Sequence, residues 1–282
     1  MDSQQNQQSQ QHNSGDNSSA NQHHEDIVID QELYKQQLEF IKKEAEGDSP
    51  LIGDLQSLDV LEKEFENNMA FLQKIFILKD TYPQVRRVRR DGSCFYRSYL
   101  FQIFEHIVSF KDTDLQNKII EIIKQSKEDL KKVGYEEMVL DDFYDPMIEK
   151  LELLTKPEFS HNELMSIFIE KYISDSLVMY LRFMTSGYLK MNAALFENYI
   201  DNGMTIEKFC ACEVDPIDKE ADQIPIMALI SYLNVPIKII YLDSNINKVN
   251  PDIIILPEGT DESKVFVTLL YRPGHYDIVY RK

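Results

Sequence analysis

The chain has 282 residues, room for one large domain or two small ones, and 43% of them are apolar, which suits a packed core. A formal net charge of −18 and an isoelectric point near 4.7 exclude nucleic-acid binding through a basic surface, but they allow steering of a partner with a basic contact face. Three cysteines without framework spacing exclude a disulfide scaffold, and no secretory leader or bilayer-length apolar run is visible, so the expectation is a reducing compartment, the cytosol, with the nucleus also open.

Residues 1–25 are mostly Gln, Asn, Ser and His, too polar to bury a core, and read as a disordered tail. Residues 26–48 turn helical in pattern, with Ile27, Ile29, Leu33, Leu38, Phe40 and Ile41 among charges, and read as an arm outside the main domain. The domain itself is expected over 49–282. Ser57 opens a clearer helix, since Leu58, Leu61, Phe65, Met69, Leu72 and Phe76 recur at steps of three and four and mark one buried face. Tyr82-Pro83 ends that segment. Four arginines within Val85–Arg90 suit an acidic partner surface or salt bridges inside the fold.

The middle of the chain reads as helical. Phe95–Phe104 forms a mostly buried helix, and Lys111–Lys132 an amphipathic one. Ser160-His-Asn-Glu163 has capping-box spacing. Ser174-Asp-Ser176 starts a helix that should end near Ser186-Gly187, and Ile224–Leu233 is apolar enough for a core helix. Strands concentrate late. Val235–Leu242 is one, Asp252–Leu256 is an edge strand or a loop, and Val265–Tyr271 with Tyr276–Tyr280 forms a hairpin around Pro273-Gly274. Helices first and strands later predict an α+β fold.

Two segments carry chemistry. In Asp91-Gly-Ser-Cys-Phe-Tyr-Arg97, the glycine and serine break the chain just before Cys94. That places Cys94 at a helix N-terminus, where the dipole and free N–H groups favour thiolate and can hold an oxyanion. In Arg272-Pro-Gly-His-Tyr-Asp277, a strand beginning at His275 turns His275 and Asp277 to one face. Cysteine, imidazole and carboxylate are the three parts of a thiol hydrolase, although a packed cysteine and a turn histidine also account for each segment alone. His12, His23 and His24 lie in the tail, while His106 and His161 sit in helical contexts, so all are weaker candidates for the base. Cys210 and Cys212, two apart in a helical stretch, do not face each other, and no metal site is expected.

The two segments resemble the catalytic motifs of the otubains, deubiquitinases of the ovarian-tumour (OTU) class of cysteine proteases. Lys127–Leu130, Thr185–Leu189, Glu207–Cys210, Glu213–Pro216, Lys219–Asp222 and Pro257–Gly259 resemble otubain segments in the same order. The resemblance implies a papain-like fold with Cys94 as nucleophile, His275 as base and acid, and Asp277 as the orienting carboxylate. It implies the backbone N–H groups of Asp91 and Cys94 as the oxyanion hole. Ser93 departs from the asparagine common at that position. The resemblance also implies Phe143 near a distal ubiquitin surface and places Tyr188 in a shared motif, where a core aromatic is the alternative. The implied reaction is cofactor-free cleavage of isopeptide bonds at the C-terminal glycine of ubiquitin, in chains of the proteasome-targeting linkage, by a monomer. A regulator that binds ubiquitin and inhibits ubiquitin-conjugating enzymes is the second reading, and a protease for a ubiquitin-like modifier the third.

Overall fold

A computed structural model describes residues 49–200, 203–245 and 247–282. The expected tail, 1–25, and the expected arm, 26–48, lie outside the described residues. Among the described residues, four elements precede the cysteine: β1 (Ile52–Ser57), α1 (Asp59–Glu64), α2 (Met69–Thr81) and β2 (Gln84–Val88). Then follow α3 (Cys94–Phe110), α4 (Thr113–Lys132), α5 (Glu137–Leu153), α6 (His161–Ile169) and α7 (Lys171–Met191). Two short helices, α8 (Ala193–Phe196) and α9 (Ile206–Phe209), lead to α10 (Gln223–Leu233). The chain ends in β3 (Ile237–Tyr241), β4 (Asp252–Leu256), β5 (Val267–Arg272) and β6 (His275–Tyr280).

These strands form one six-stranded sheet in the order β1-β2-β6-β5-β3-β4, antiparallel except for the β3–β5 pair. The fold is α+β as expected, and Asp252–Leu256 is the edge strand. Two of the strands, however, come before Cys94. Asp54, Gln56, Ser57 and a glycine interrupt β1, and the arginines of Val85–Arg90 mask β2, so neither shows the apolar run by which strands are recognised in sequence.

Side-chain alternation gives the sheet two buried faces. Ile239, Leu269 and Ile278 pack into the larger core with α3, whose Phe95, Tyr99, Phe101 and Phe104 are fully buried. Ile240, Leu270 and Val279, each the next residue along, pack instead against Leu61 of α1 and Phe71, Ile75 and Leu78 of α2. Each such side chain contributes about 1.5–3 kcal/mol when removed from water. His275 and Asp277 share the parity of Val279, so they face the α1–α2 side.

The helix expected from Ser57 divides in two. Asn68 caps α2 by accepting the Phe71 N–H at 3.3 Å, and the new helix starts in a different phase. Met69 and Phe76, which the single-helix pattern placed inside, are 59% and 72% exposed. The helix expected from Ser174 starts earlier, at Lys171, because Glu170 accepts the N–H groups of Tyr172 and Ile173. It also runs through Gly187 to Met191. That glycine is a packing site: a Cβ there would lie 2.6 Å from the Leu130 Cδ2. The capping box at Ser160–Glu163 forms as the spacing predicts.

Candidate active site

The loop from Arg89 to Ser93 joins β2 to α3. Gly92 has φ +79°, and a Cβ there would lie 2.1 Å from the Asp218 carbonyl oxygen, so only glycine fits. Two buried arginines hold this loop. Arg97 donates to the Asp91 carboxylate at 2.9 Å, and also to Asp175 at 2.9 Å and the Ser174 hydroxyl at 3.1 Å. Arg182 donates to the Gly92 carbonyl at 3.0 Å and to the carbonyls of Val214, Ile217 and Lys219 at 2.8–2.9 Å. Its guanidinium lies 4.4 Å from the centre of the Tyr96 ring. Ser93 accepts from Arg182 at 3.0 Å and donates its hydroxyl proton to the Ile217 carbonyl at 2.6 Å. The small residue that replaces asparagine is therefore fully used.

Cys94 is the first residue of α3, so its backbone N–H has no acceptor inside the helix. The side chain is 2% exposed. Burial pushes its thiol up to about 12; a backbone N–H from Tyr276 opposes the rise, and Asp91, Glu220 and Asp277 add to it. The helix terminus alone favours thiolate, but that effect is worth about 0.3–1 kcal/mol, under one pKa unit, and burial outweighs it. The resting form at neutral pH is the thiol.

The hairpin carries the imidazole. Arg272 pairs with His275 across Pro273-Gly274, and Gly274 has φ +69°, the composition and geometry of a type II turn. Tyr276 packs edge-on against Phe95, 5.5 Å between ring centres, which brings the start of β6 to the start of α3. His275 Nε2 lies 3.0 Å from Asp277 Oδ1, and the Val88 N–H donates to the same oxygen at 3.0 Å. An ionised carboxylate can only accept, so Nε2 carries the proton and Nδ1 keeps its lone pair. Nδ1 is buried and has no hydrogen-bond partner among the described residues. Burial lowers His275 to about 4, against the pull of Asp277. Burial alone would raise Asp277, but Arg272, Arg87 and His275 outweigh it and hold the carboxyl well below its usual range.

A cleft of 320 Å³ opens onto Cys94, lined among others by Glu220, Asp222, Tyr241, Tyr271 and Tyr276. Burial raises Glu220 and Asp222. The backbone N–H of Tyr276, the residue between His275 and Asp277, reaches the Cys94 thiol, so the start of α3 and the start of β6 bring the segments of the three candidate residues together. Such a set can move the thiol proton to Nδ1, attack a carbonyl carbon, and return the proton to a leaving amine.

Other expected residues are placed differently. The Asp91 N–H, expected as an oxyanion donor, donates here to the Arg89 carbonyl at 3.1 Å, while its side chain braces Arg97 and the Ser93 N–H. Phe143 is half-buried on α5, edge-on to Phe183 at 5.3 Å. Tyr188 is half-buried against Tyr232 and Phe196. Neither lines the Cys94 cleft. Cys210 is buried and Cys212 exposed. His161 bonds Glu105, and His106 stacks on Phe266. Sequence reading missed Arg182, Arg87 and Glu220. Arg87 stood inside the arginine run, but a mid-helix Arg182 and a loop Glu220 carry no local signal.

Comparison with known proteins gives the family. The profile of the family described as Peptidase C65 Otubain matches residues 44–281. The human protein named ubiquitin thioesterase OTUB1 is 38% identical over 257 residues, covering 90% of this chain and 92% of the relative. An Arabidopsis thaliana protein named ovarian tumor domain-containing deubiquitinating enzyme 1 is 34% identical, covering 83% of this chain and 81% of its own length. Among solved structures, the OTUB1 chain in a complex titled as h/ceOTUB1, ubiquitin aldehyde and UBC13~Ub superposes with a TM-score of 0.79 at 30% identity, covering 90% of this chain and 98% of that one.

Proposed function

This chain belongs to the otubain family of C65 cysteine peptidases and is a cysteine deubiquitinase, and from that membership we propose that it cleaves isopeptide bonds at the C-terminal glycine of ubiquitin through Cys94, His275 and Asp277. One observation carries the residue assignment: the buried, unpartnered Nδ1 of an imidazole whose Nε2 is already held by Asp277. In the proposed reaction the Cys94 thiol gives its proton to Nδ1 as the sulfur adds to the glycine carbonyl carbon. The Cys94 N–H faces the resulting oxyanion. The imidazolium then protonates the lysine amine, the C–N bond breaks, and a thioester remains. Water, deprotonated by His275, hydrolyses the thioester, releases the ubiquitin carboxylate and restores the thiol. The proton is displaced only when substrate is bound, which fits a thiol pushed up to about 12 at rest.

Ubiquitin and its chains are the proposed partners, with the proteasome-targeting linkage as the proposed preference. Cleavage of di-ubiquitins of each linkage type by the full chain tests this. Equal rates across linkages would overturn the preference and leave the deubiquitinase reading standing.

A second reading is favoured by the solved relatives, whose titles pair OTUB1 and ubiquitin aldehyde with UBC13~Ub or UBCH5B~Ub. It is binding of a ubiquitin-charged conjugating enzyme and inhibition of transfer, with residues 26–48 as the contacting arm. Deleting 1–24 should leave cleavage and inhibition unchanged. Deleting 1–46 should weaken inhibition while Cys94 still reacts with a mono-ubiquitin electrophile. If both deletions inhibit like the full chain, the arm has no part in it.

A further inference from the structure

We propose that Glu64 is a positioning residue for the His275–Asp277 pair, acting through Arg87 and Arg272, an inference that rests on the catalytic reading above. Glu64 ends α1, and its side chain is only 7% exposed. One carboxylate oxygen takes Arg272 Nη1 and the other takes Arg87 Nη1. Both arginines also face Asp277: Arg272 Nη2 donates to Oδ2 at 2.8 Å, and Arg87 Nε forms an ion pair with the same oxygen at 3.3 Å. Two guanidiniums are thus each shared between two carboxylates.

The arrangement divides the Asp277 carboxylate by function. Oδ2 faces the arginines, while Oδ1 takes the Val88 N–H and His275 Nε2. Partners on both oxygens fix its plane, and that plane sets the direction in which the imidazole is held. Arg272 is 3% exposed and Asp277 fully buried, so neither can replace a lost partner with bulk water. Without Glu64, Arg272 Nη1 has lost its acceptor in a dry site, and the neutral set of two anions and two cations becomes a net cation beside His275. The guanidinium must then turn towards another acceptor, and Asp277 turns with it. Phe65, whose ring centre is 5.7 Å from the Arg272 guanidinium, covers the outer side. α1 therefore does more than pack on the sheet: its last residue braces the acid that orients the base.

The test uses the full chain with Glu64→Gln, a neutral residue of the same shape. With ubiquitin–aminomethylcoumarin, kcat should fall about 10- to 100-fold, the scale for a misplaced catalytic group, while KM stays within about twofold because ground-state binding is untouched. The low-field proton resonance of His275 Nε2–H should move upfield or broaden. A purely structural clamp would lower the melting temperature without moving that resonance in the folded protein. Glu64→Asp keeps the charge but is too short to span both arginines, and should give an intermediate kcat. A folded Glu64→Gln with unchanged kcat and unchanged resonance overturns the proposal; if Glu64→Gln does not fold, an unchanged kcat and resonance in Glu64→Asp does so. The resonance needs neither ubiquitin nor hydrolysis. If the unmodified chain shows no Cys94-dependent hydrolysis, the catalytic reading fails and the resonance still decides the role of Glu64.

Discussion

Arg182 donates to the Ser93 hydroxyl at 3.0 Å, tying α7 to the loop that carries Cys94 although 89 residues separate the two. The same guanidinium reaches four carbonyls, from Gly92 to Lys219, so one buried charge organises both walls of the nucleophile loop. Ser93→Ala removes one donor and one acceptor but leaves Arg182 with the carbonyls. It should cost about 1–2 kcal/mol in urea unfolding. Arg182→Met strips the donor from all four carbonyls, two of them buried, and should cost more than about 3 kcal/mol. Equal losses for the two variants would show that Arg182 is not the organising group.

Cys94 should be the sole residue labelled by a ubiquitin C-terminal electrophile. Cys212 is exposed and Cys210 buried, yet the cleft opens onto neither. Cys94→Ala should abolish labelling on denaturing gels and by intact mass, while Cys210→Ala and Cys212→Ala should label like the unmodified chain. Residual labelling of Cys94→Ala would assign the nucleophile elsewhere.

Much of this site was legible because its parts are local. A helix start after Gly92-Ser93, a two-residue turn and the period of a strand are set by neighbouring residues, and they single out Cys94, His275 and Asp277 as candidates. What was not legible depends on residues far apart. Burial of Cys94, which reverses its expected thiolate character, comes from packing of the cleft walls. The Arg87–Arg272–Asp277–Glu64 set joins four points of the chain, none of which has a periodic signal. The commitment of the Asp91 N–H to Arg89 depends on loop geometry that residue identity does not specify. The same division holds for the fold: Leu58 to Phe76 read as one apolar repeat, whereas the first helix stops at Glu64 and the Asn68 side chain caps a second one.

Asp277→Asn should damage stability and catalysis together. An amide oxygen placed at Oδ1 can still accept from Val88 and His275, but the NH2 then points at the donors Arg272 and Arg87. Breaking such a buried pair costs about 3–5 kcal/mol. His275→Ala should remove acid and base with a larger loss of kcat and a smaller loss of stability, since His275 anchors no charge network of its own. Urea unfolding and turnover, measured on both variants, separate the two. An Asp277→Asn protein as stable as the unmodified chain would contradict the charge assignment.

Gly187→Ala pits helix propensity against packing. Alanine in a helix interior is favoured over glycine by about 1 kcal/mol. The added Cβ, however, would meet the fully buried Leu130 side chain at 2.6 Å, and overpacking costs about 1–3 kcal/mol. A net loss near 1 kcal/mol is expected. The double variant Gly187→Ala/Leu130→Val should lose less than the sum of the two single changes, because shortening Leu130 makes the space the methyl needs. Strict additivity in urea unfolding would show that the two side chains do not compete.

Stability should fall as the pH is lowered through the range where His275 differs between folded and unfolded chains. Burial holds the folded imidazole near 4, below its ordinary 6.5. Above 6.5 neither state binds the proton, and the group contributes nothing. Between 6.5 and about 4 the unfolded chain takes up a proton that the folded chain refuses, so stability drops by up to about 1.4 kcal/mol per pH unit. Below about 4 both states are protonated and this loss stops growing. Asp277 then takes over with the same sign: its folded carboxyl is depressed, so the stability it confers is present above its ordinary 3.8 and is lost as the pH falls through the lower folded value. The first window belongs to His275 alone of this pair. Unfolding free energies at pH 6.5 and pH 4.5 should therefore diverge more for the unmodified chain than for His275→Gln, which cannot titrate. If the two proteins lose stability in parallel between those pH values, the folded imidazole is not depressed below its ordinary range, and if the unmodified chain loses less than His275→Gln, the imidazole is instead a cation paired with Asp277.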